Sequence, residues 1–192
     1  MIVGITGSIA SGKSLVTSYL LEKGFKVIDS DKIAKEQMEK PEIIQLLKTH
    51  FGNEIITGGE VNRLTLGAII YNNEEKRLLL NSLIHPLVIS EIKRLTKNLC
   101  EMTFVDVPLL YEAKMEAMFD KIIVVDVRPD LQIKRLMKRD QITEELAQLK
   151  IKSQWSLELK KAKADYVIDN SGRRTHTQLQ VEQILRSLKN EN

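Results

Sequence analysis

The chain has 192 residues, of which 43% are hydrophobic and 29% charged, so it can bury one sizeable core as a globular protein. Its 29 basic and 26 acidic side chains give a net charge of +3, which is too small to indicate a nucleic-acid partner. With one cysteine, Cys100, no intrachain disulfide can form, which fits a reducing compartment. No apolar run is long enough for a transmembrane helix, so we expect a cytoplasmic protein without a membrane partner. We also expect a monomer, although no sequence pattern determines the oligomeric state.

The first predicted element is a strand at residues 2–6, followed by a loop in which Gly7 and Gly12 bracket four residues. Lys13 and Ser14 close this loop, and a helical pattern begins at once. The order of strand, loop and helix predicts a phosphate-binding loop (P-loop), in which the glycines adopt backbone angles that a Cβ forbids and the N–H groups surround an anion. Lys13 is expected to reach the β- and γ-phosphates of a nucleotide, and Ser14 to ligate Mg²⁺. A chance match in an ordinary strand-to-helix turn is the alternative.

The second predicted strand, at residues 25–29, ends with Asp29, and Asp31 follows two residues later. A carboxylate at this position is expected to face the P-loop and to accept the proton of an attacking hydroxyl group. We favour Asp31 as this base. Asp29 then has a supporting role, or acts as the N-cap of the helix that follows.

Residues 33–99 contain no convincing strand, and their apolar spacing predicts a helical insertion between the second and third strands. Gly58-Gly59 indicates a turn, and Pro86 is expected to kink or break the last of these helices. Four cations of the insertion are candidates for meeting an anionic substrate, or else face water: Arg63, Arg77, Lys93 and Arg94. His85 is a candidate for binding a substrate group, and the alternative is a structural hydrogen bond.

Three further apolar strands are predicted at residues 103–107, 121–127 and 166–169. Since helical patterns separate all five strands, we expect an α/β fold in which a parallel five-stranded sheet of the P-loop NTPase type has helices on both faces. Functional groups then collect at the carboxyl ends of the strands. Asp106 ends the third strand, where it is expected to hold Mg²⁺, directly or through water; the alternative is an ordinary turn residue before Pro108.

Residues 129–163 predict two cationic helices, the first beginning at Pro129 and the second after Thr143. Arg135 and Arg139 are four residues apart and therefore share a helix face. Their guanidinium groups either bind phosphate as part of a lid or form a solvated surface.

Several of these motifs occur together in one known family. The most specific are Asp106-Val-Pro-Leu-Leu-Tyr111-Glu112 and Ile84-His85-Pro86, in addition to the P-loop. On these residues the chain resembles the dephospho-coenzyme A kinase family along its whole length. The resemblance implies a P-loop core (residues 1–32, 100–128 and 164–192), a coenzyme A-binding insertion (33–99) and a lid (129–163).

The resemblance also implies a reaction, the transfer of the γ-phosphate of ATP, with Mg²⁺, to the ribose 3′-hydroxyl of dephospho-coenzyme A. It makes Asp31 the catalytic base and Arg139 a lid arginine, and it brings Asn170 close to the adenine. His85, Tyr111 and Glu112 are implied to lie on the coenzyme side. It assigns the nucleotide phosphates to six consecutive residues: Ala10, Ser11, Gly12, Lys13, Ser14 and Leu15.

The chain departs from the family pattern at four positions. Ser8 and Ala10 stand where glycines are usual, and the anion-binding geometry is expected to survive if both keep a negative φ. Leu15 replaces a hydroxyl residue, and Lys150 stands where arginine is usual, which removes a bidentate fork. The rival hypotheses are another P-loop kinase, acting on a nucleoside monophosphate or a small alcohol, and a nucleotide-dependent binding module.

Overall fold

We analysed a computed structural model that describes residues 1–71, 73–99 and 101–191, so Cys100 lies outside the described residues. The strands are β1 (Ile2–Gly7), β2 (Lys26–Asp29), β3 (Ile56–Thr57), β4 (Glu60–Val61), β5 (Thr103–Asp106), β6 (Lys121–Asp126) and β7 (Tyr166–Asp169). The α-helices are α1 (Lys13–Glu22), α2 (Ser30–Met38), α3 (Pro41–Phe51), α4 (Arg63–Tyr71), α5 (Glu74–Thr96), α6 (Pro129–Asp140), α7 (Glu144–Lys152), α8 (Leu157–Lys161) and α9 (Arg174–Asn190). Two 3₁₀ turns lie at Asn53–Ile55 and Glu116–Met118. None of the helices in these ranges is long and apolar enough to cross a membrane.

Five strands form one parallel sheet in the order β2-β5-β1-β6-β7, with helices on both of its sides. The predicted strands and the predicted fold class are therefore confirmed. The register pairs Asp29 with Asp106 across β2 and β5, and Asp126 with Asp169 across β6 and β7. Carboxylates thus end four of the five strands, on the same edge as the loop that follows β1.

The core of this sheet lies between one of its faces and two helices. Alternate residues of β1, Val3 and Ile5, are fully buried on this face. They pack with Val16 and Leu20 of α1 and with the apolar stripe of α9. Burial on this scale stabilises the sheet by about 25 cal/mol for each Å² of apolar surface removed from water.

A close approach explains Gly4, which lies between these two residues of β1. A Cβ built at Gly4 would lie 2.8 Å from Leu110 Cδ1 and 3.0 Å from the Phe119 ring. The segment after β5 therefore packs directly on the strand, and a larger residue at position 4 would displace it.

Residues Ser30–Lys97 form a compact unit of their own, and residues Met1–Asp29 with Asn98–Asn192 form the other. The smaller unit is mainly helical, as predicted, but the expectation that it contains no strand is wrong. β3 and β4 pair antiparallel, and Gly58 and Gly59 connect them with φ values of +62° and +86°. Two-residue strands carry too little apolar alternation to be recognised in a sequence.

Pro86 does not break the last helix of this unit, so the prediction of a break is also wrong. The helix α5 has 23 residues and continues through Pro86. Asn73 caps the helix by accepting a hydrogen bond from Lys76 N at 3.0 Å. Ile84, Val88 and Ile92 recur every four residues and are buried. Their packing offsets the roughly 3 kcal/mol that proline costs inside a helix.

The segment from 129 to 163 starts at Pro129, and its second helix follows the N-cap Thr143, as predicted. Gln141 ends α6 with a φ of +54°. The short helix α8, which begins after the N-cap Ser156, is an additional element. All three helices belong to the larger unit.

Candidate active site

The loop between β1 and α1 contains two glycines that are required for different reasons. Gly12 has a φ of +86°, so it occupies the left-handed region that favours glycine. Gly7 does not have a positive φ, and the expectation that it needs unusual backbone angles is wrong. A Cβ on Gly7 would instead lie 2.6 Å from Ser11 Oγ and 2.8 Å from the Val125 carbonyl oxygen, so position 7 has no room for a side chain.

Ala10 adopts a left-handed conformation with a φ of +60°, and the expectation of a negative φ is wrong at this position. Ser8 is not among the residues with positive φ, in agreement with the expectation for it. Ala10 therefore takes a glycine-like conformation with a Cβ attached, at a cost on the order of 1 kcal/mol.

Two glutamines hold the first half of the loop. Gln132 of α6 donates through Nε2 to Ser8 Oγ at 2.9 Å and to the Ile9 carbonyl oxygen at 2.8 Å. Gln154, which follows α7, accepts from Ile9 N at 2.9 Å through Oε1. The sequence analysis assigned neither glutamine a role, because glutamine has no spacing signature that marks it as a ligand of a loop.

Lys13 and Asp106 are brought together at the adjacent ends of β1 and β5. The Lys13 ammonium donates to Asp106 Oδ1, and the two side chains are only 16% and 14% exposed. Burial raises the pKa of Asp106. The charge and hydrogen bond of Lys13 lower this pKa, and the negative charge of Asp29 raises it. The charge of Lys13 is therefore offset here by the Asp106 carboxylate.

Arg135 and Asn170 support the second half of the loop. Asn170 is buried; its Nδ2 donates to the Ser11 carbonyl oxygen at 2.8 Å, and its Oδ1 accepts from Thr177 Oγ1 at 2.9 Å. Arg135 donates through Nη2 to the Asn170 carbonyl oxygen at 3.0 Å. Arg135 Nη1 lies 3.6 Å from the point where a Cβ on Gly12 would stand. Asn170 thus braces the loop backbone, and Arg135 reaches the loop itself.

Arg139 lies apart from this group. Its Nε donates to Asp140 Oδ1 at 2.8 Å, and Lys150 Nζ donates to Asp140 Oδ2 at 2.9 Å. The hydrogen bonds from Arg139 and Lys150 lower the pKa of Asp140 to about 2. Across the described part of the chain, Arg139 makes no hydrogen bond or ion pair to the P-loop, and Lys150 links α7 to the end of α6.

Tyr111 and Glu112 lie in the segment after β5 and are packed inside the larger unit. Tyr111 is 1% exposed and stacks on Trp155, with ring centroids 6.0 Å apart and planes at 8°. Burial raises the pKa of Tyr111 to about 12. Glu112 Oε1 accepts from Trp155 N at 2.9 Å and from Lys160 Nζ at 2.9 Å. Their roles towards a substrate stay predictions.

The other three predicted site residues belong to the smaller unit. Asp31 is exposed in the first turn of α2. Arg63 Nη2 lies 3.3 Å from Glu39 Oε1, so its charge is paired within the unit. His85 is half-buried on α5, and burial lowers its pKa.

The groups around the loop fit a nucleotide and Mg²⁺. Ser11 Oγ and Arg135 Nη1 are buried polar atoms that have no hydrogen-bond partner, and a phosphate would supply one. Ser14 is exposed at the start of α1, and Asp106 adds a carboxylate, which makes an oxygen donor set of the kind Mg²⁺ prefers. Within residues 1–71, 73–99 and 101–191, no group of three or more His, Cys, Asp or Glu forms a metal site. A bound Mg²⁺ would therefore depend on phosphate oxygens as well.

The sheet order, the loop at the carboxyl end of β1 and the cationic helices beside it define a P-loop kinase. A solved shikimate kinase from Bacteroides thetaiotaomicron shares this fold, with a TM-score of 0.57 at 16% identity over 98% of both chains. The family model described as dephospho-CoA kinase matches residues 1–176. The chain belongs to the dephospho-CoA kinase family.

Two relatives support this membership over nearly the full length. A dephospho-CoA kinase from Enterococcus faecalis is 44% identical over 190 residues, which cover 96% of this chain and 95% of the relative. A solved dephospho-CoA kinase from Campylobacter jejuni has a TM-score of 0.75 at 28% identity, with 100% of this chain and 98% of the other covered.

Proposed function

We propose that the chain transfers the γ-phosphoryl group of ATP to the ribose 3′-hydroxyl of dephospho-coenzyme A, giving coenzyme A and ADP in the last step of coenzyme A biosynthesis. The observation that carries the proposal is the P-loop from Gly7 to Ser14, with Lys13 paired to Asp106, in a chain of the dephospho-CoA kinase family. The family motifs Ile84-His85-Pro86 and Asp106-Val-Pro-Leu-Leu-Tyr111-Glu112 support dephospho-coenzyme A as the acceptor.

The nucleotide phosphates bind along the loop backbone in this proposal. Lys13 leaves Asp106 for the β- and γ-phosphates, and Arg135 Nη1 and Ser11 Oγ gain the partners they lack. The N-terminus of α1 adds its unpaired N–H groups and partial positive charge. Leu15 N donates to the Gly12 carbonyl oxygen at 3.0 Å, so Leu15 is proposed to lie beside the phosphates without a side-chain contact to them. Asn170 stabilises the conformation of the loop through its hydrogen bond to the Ser11 carbonyl oxygen.

Ser14 and Asp106 are the residues that would hold Mg²⁺. When bound, the ion offsets the negative charge of the phosphate oxygens. The release of Asp106 from Lys13 makes its carboxylate available to the ion.

Asp31 is proposed as the base. The 3′-hydroxyl oxygen attacks the γ-phosphorus and forms the new P–O bond, while the bond from this phosphorus to the β,γ-bridging oxygen breaks. ADP leaves with that electron pair, and the hydroxyl proton goes to the Asp31 carboxylate. His85 and Arg63 are proposed contacts of the coenzyme, as are Tyr111 and Glu112 through their loop. Arg139 acts as a lid cation on exchanging Asp140 for phosphate.

The direct test is an assay of the purified protein with ATP, Mg²⁺ and dephospho-coenzyme A. We expect ADP and coenzyme A in equal amounts, with the new phosphate on the 3′-oxygen by ³¹P NMR. A panel of nucleoside monophosphates, shikimate and gluconate serves as the control. Transfer to one of these acceptors and not to dephospho-coenzyme A would refute the proposed substrate, whereas ATP hydrolysis without any acceptor would favour a nucleotide-dependent binding module.

We also propose that the protein acts as a monomer in the cytoplasm and has no nucleic-acid partner. Light scattering at working concentration tests whether the protein is a monomer, and fractionation of the producing cells tests whether it lies in the cytoplasm. Oligonucleotide binding that weakens steeply with salt would contradict the absence of a nucleic-acid partner.

A further inference from the structure

Lys160 is a buried charged side chain on the short helix α8. Its side chain is 0% exposed. Lysine is almost never fully buried unless it is paired, because removing an ammonium from water costs several kcal/mol. A residue kept at that cost is expected to have a function in the place where it lies.

The Lys160 ammonium uses all three of its N–H donors. It donates to the Gly7 carbonyl oxygen at 3.1 Å, to the Pro108 carbonyl oxygen at 3.1 Å and to Glu112 Oε1 at 2.9 Å. Three donors are the full capacity of a lysine. The ammonium is therefore held at one point by backbone atoms of two separate segments and by one carboxylate.

The two segments are those that carry the proposed reaction. Gly7 ends β1 and opens the P-loop, and Pro108 follows Asp106 by two residues. Thr6 Oγ1 donates to the same Pro108 carbonyl oxygen at 3.1 Å. Lys160 thus ties the start of the P-loop to the segment of the proposed metal-binding carboxylate.

Glu112 connects this tie to the loop by a second route. The oxygen that accepts from Lys160 also accepts from Trp155 N at 2.9 Å. Trp155 follows Gln154, whose side chain accepts from Ile9 N in the loop at 2.9 Å. A continuous chain of hydrogen bonds and one peptide unit therefore runs from Lys160 to the middle of the P-loop.

Glu112 favours the ammonium form of Lys160 against the effect of burial. Burial lowers the pKa of Lys160, the hydrogen bond and charge of Glu112 raise it, and the nearby Lys13 lowers it. Glu112 is the carboxylate that compensates the buried charge, so the pair acts as a unit.

We propose that Lys160 is a positioning residue for phosphoryl transfer, which fixes the Gly7 and Pro108 carbonyls so that the P-loop and Asp106 keep their relative placement. This inference rests on the proposed function, since it takes Asp106 and the loop to be the site of the reaction. Lys160 does not touch the substrate. A misplacement of about 1 Å between reacting groups can cost on the order of 100-fold in rate, so the loss of such a tie should be large.

The test compares Lys160→Met, Lys160→Arg and the matched control Lys161→Met. Lys161 neighbours Lys160 on α8 and is also ion-paired, with Asp126 at 2.9 Å and Glu158 at 2.7 Å. The control therefore loses a paired lysine from the same helix, while the contacts to Gly7 and Pro108 stay. For each variant, kcat, the KM for dephospho-coenzyme A, the Kd for ATP with Mg²⁺ by calorimetry and the Tm are measured.

We expect Lys160→Met to lower kcat by about 100-fold and to raise the Kd for ATP by about tenfold, with the KM for dephospho-coenzyme A within about threefold. Lys160→Arg keeps the charge but places its donors on a wider, planar group, so it should recover about tenfold of the lost kcat and stay about tenfold below wild type. Lys161→Met should stay within about twofold of wild type in kcat and in Kd. A merely structural role predicts a lower Tm with unchanged kcat and Kd in the folded fraction.

A folded Lys160→Met with kcat and Kd within about threefold of wild type would overturn the proposal, as would a Lys160→Arg no better than Lys160→Met. If Lys160→Met does not fold, Lys160→Arg decides, because a kcat below about one third of wild type at a similar Tm supports positioning and an unchanged kcat refutes it. If the wild-type protein does not phosphorylate dephospho-coenzyme A, the proposed function fails, and the Kd values for ATP still judge Lys160.

Discussion

Substitution of Gly12 by alanine gives the sharpest test of how the P-loop is built. Gly12 has a φ of +86°, and a Cβ added there would overlap Asn170 Nδ2 and lie 3.3 Å from Asn170 Cγ. Two costs are therefore expected. The left-handed conformation costs about 1 to 2 kcal/mol for a residue with a Cβ. Displacing Asn170 breaks its hydrogen bond to the Ser11 carbonyl oxygen and leaves buried polar groups unpaired, which costs about 1 to 3 kcal/mol.

The chain contains a matched control for the conformational part. Gly24 has a φ of +84°, but a Cβ there would meet no atom within 4 Å. Gly24→Ala should therefore lower the free energy of unfolding by about 1 to 2 kcal/mol, and Gly12→Ala by about 2 to 5 kcal/mol. Only Gly12→Ala should weaken ATP binding, because only Gly12 lies in the P-loop.

The assay is urea unfolding of both variants, together with calorimetric titration of ATP. Repeating Gly12→Ala in an Asn170→Ala background removes the clash, so the cost of the glycine substitution should fall towards that at Gly24. The reasoning is refuted if Gly12→Ala and Gly24→Ala cost the same, or if the Asn170→Ala background leaves the cost at Gly12 unchanged.

Three further predictions concern single side chains. Asp31→Asn should lower kcat by about 100-fold or more, with the Kd for ATP nearly unchanged, and Asp29→Asn should have a smaller effect on steady-state kinetics; the reverse order would transfer the role of base to Asp29. Ala10→Gly should relieve the strain at φ +60° and raise the free energy of unfolding by about 0.5 to 1 kcal/mol in urea titrations, and a lower value would show that Ala10 is not strained. Because the pKa of Asp140 is about 2 in the folded chain and its ordinary value is 3.8, its stabilising effect is complete above about pH 5 and is lost as the pH falls through 2. Wild type should therefore lose more stability than Asp140→Asn between pH 4 and 2 in denaturant titrations at each pH, and equal slopes would contradict the pairing with Arg139.

The five strands of the sheet could be predicted because strands buried on both faces are short unbroken apolar runs. Their order could not be read along the chain. β5 pairs with both β1 and β2, although more than seventy residues separate it from β2. The pairing depends on how helices cover the sheet, which is a property of the whole fold.

The errors in the helical unit have a common physical origin. Local signals overstated the effect of Pro86 and understated the hairpin at Gly58-Gly59. Tertiary packing of Ile84, Val88 and Ile92 outweighs the preference of one proline. The hairpin is too short for its side chains to show a period, so only its two glycines indicate it.

The candidate site divides in the same way. The P-loop, Asp106 and Arg135 were predicted from local motifs and helix spacing, and the structure brings these residues of the larger unit close together. Gln132, Gln154 and Lys160 were given no role, because each acts on the loop across a large separation in sequence. For Arg139 the helix spacing left a phosphate contact and a solvated surface open; in the structure it pairs with its neighbour Asp140, and its lid role stays a prediction.

The sequence by itself determined that this protein has a P-loop, because the loop needs only a short run of residue types between a strand and a helix. It also determined the fold class and the family. Only the tertiary structure decided why each loop residue is what it is. Gly7 is required by the approach of Val125, Ala10 is held at a positive φ, and Lys160 binds the Gly7 carbonyl from 153 residues away. Backbone angles, clearances and buried hydrogen bonds depend on which distant segments meet, and local residue patterns do not encode these meetings.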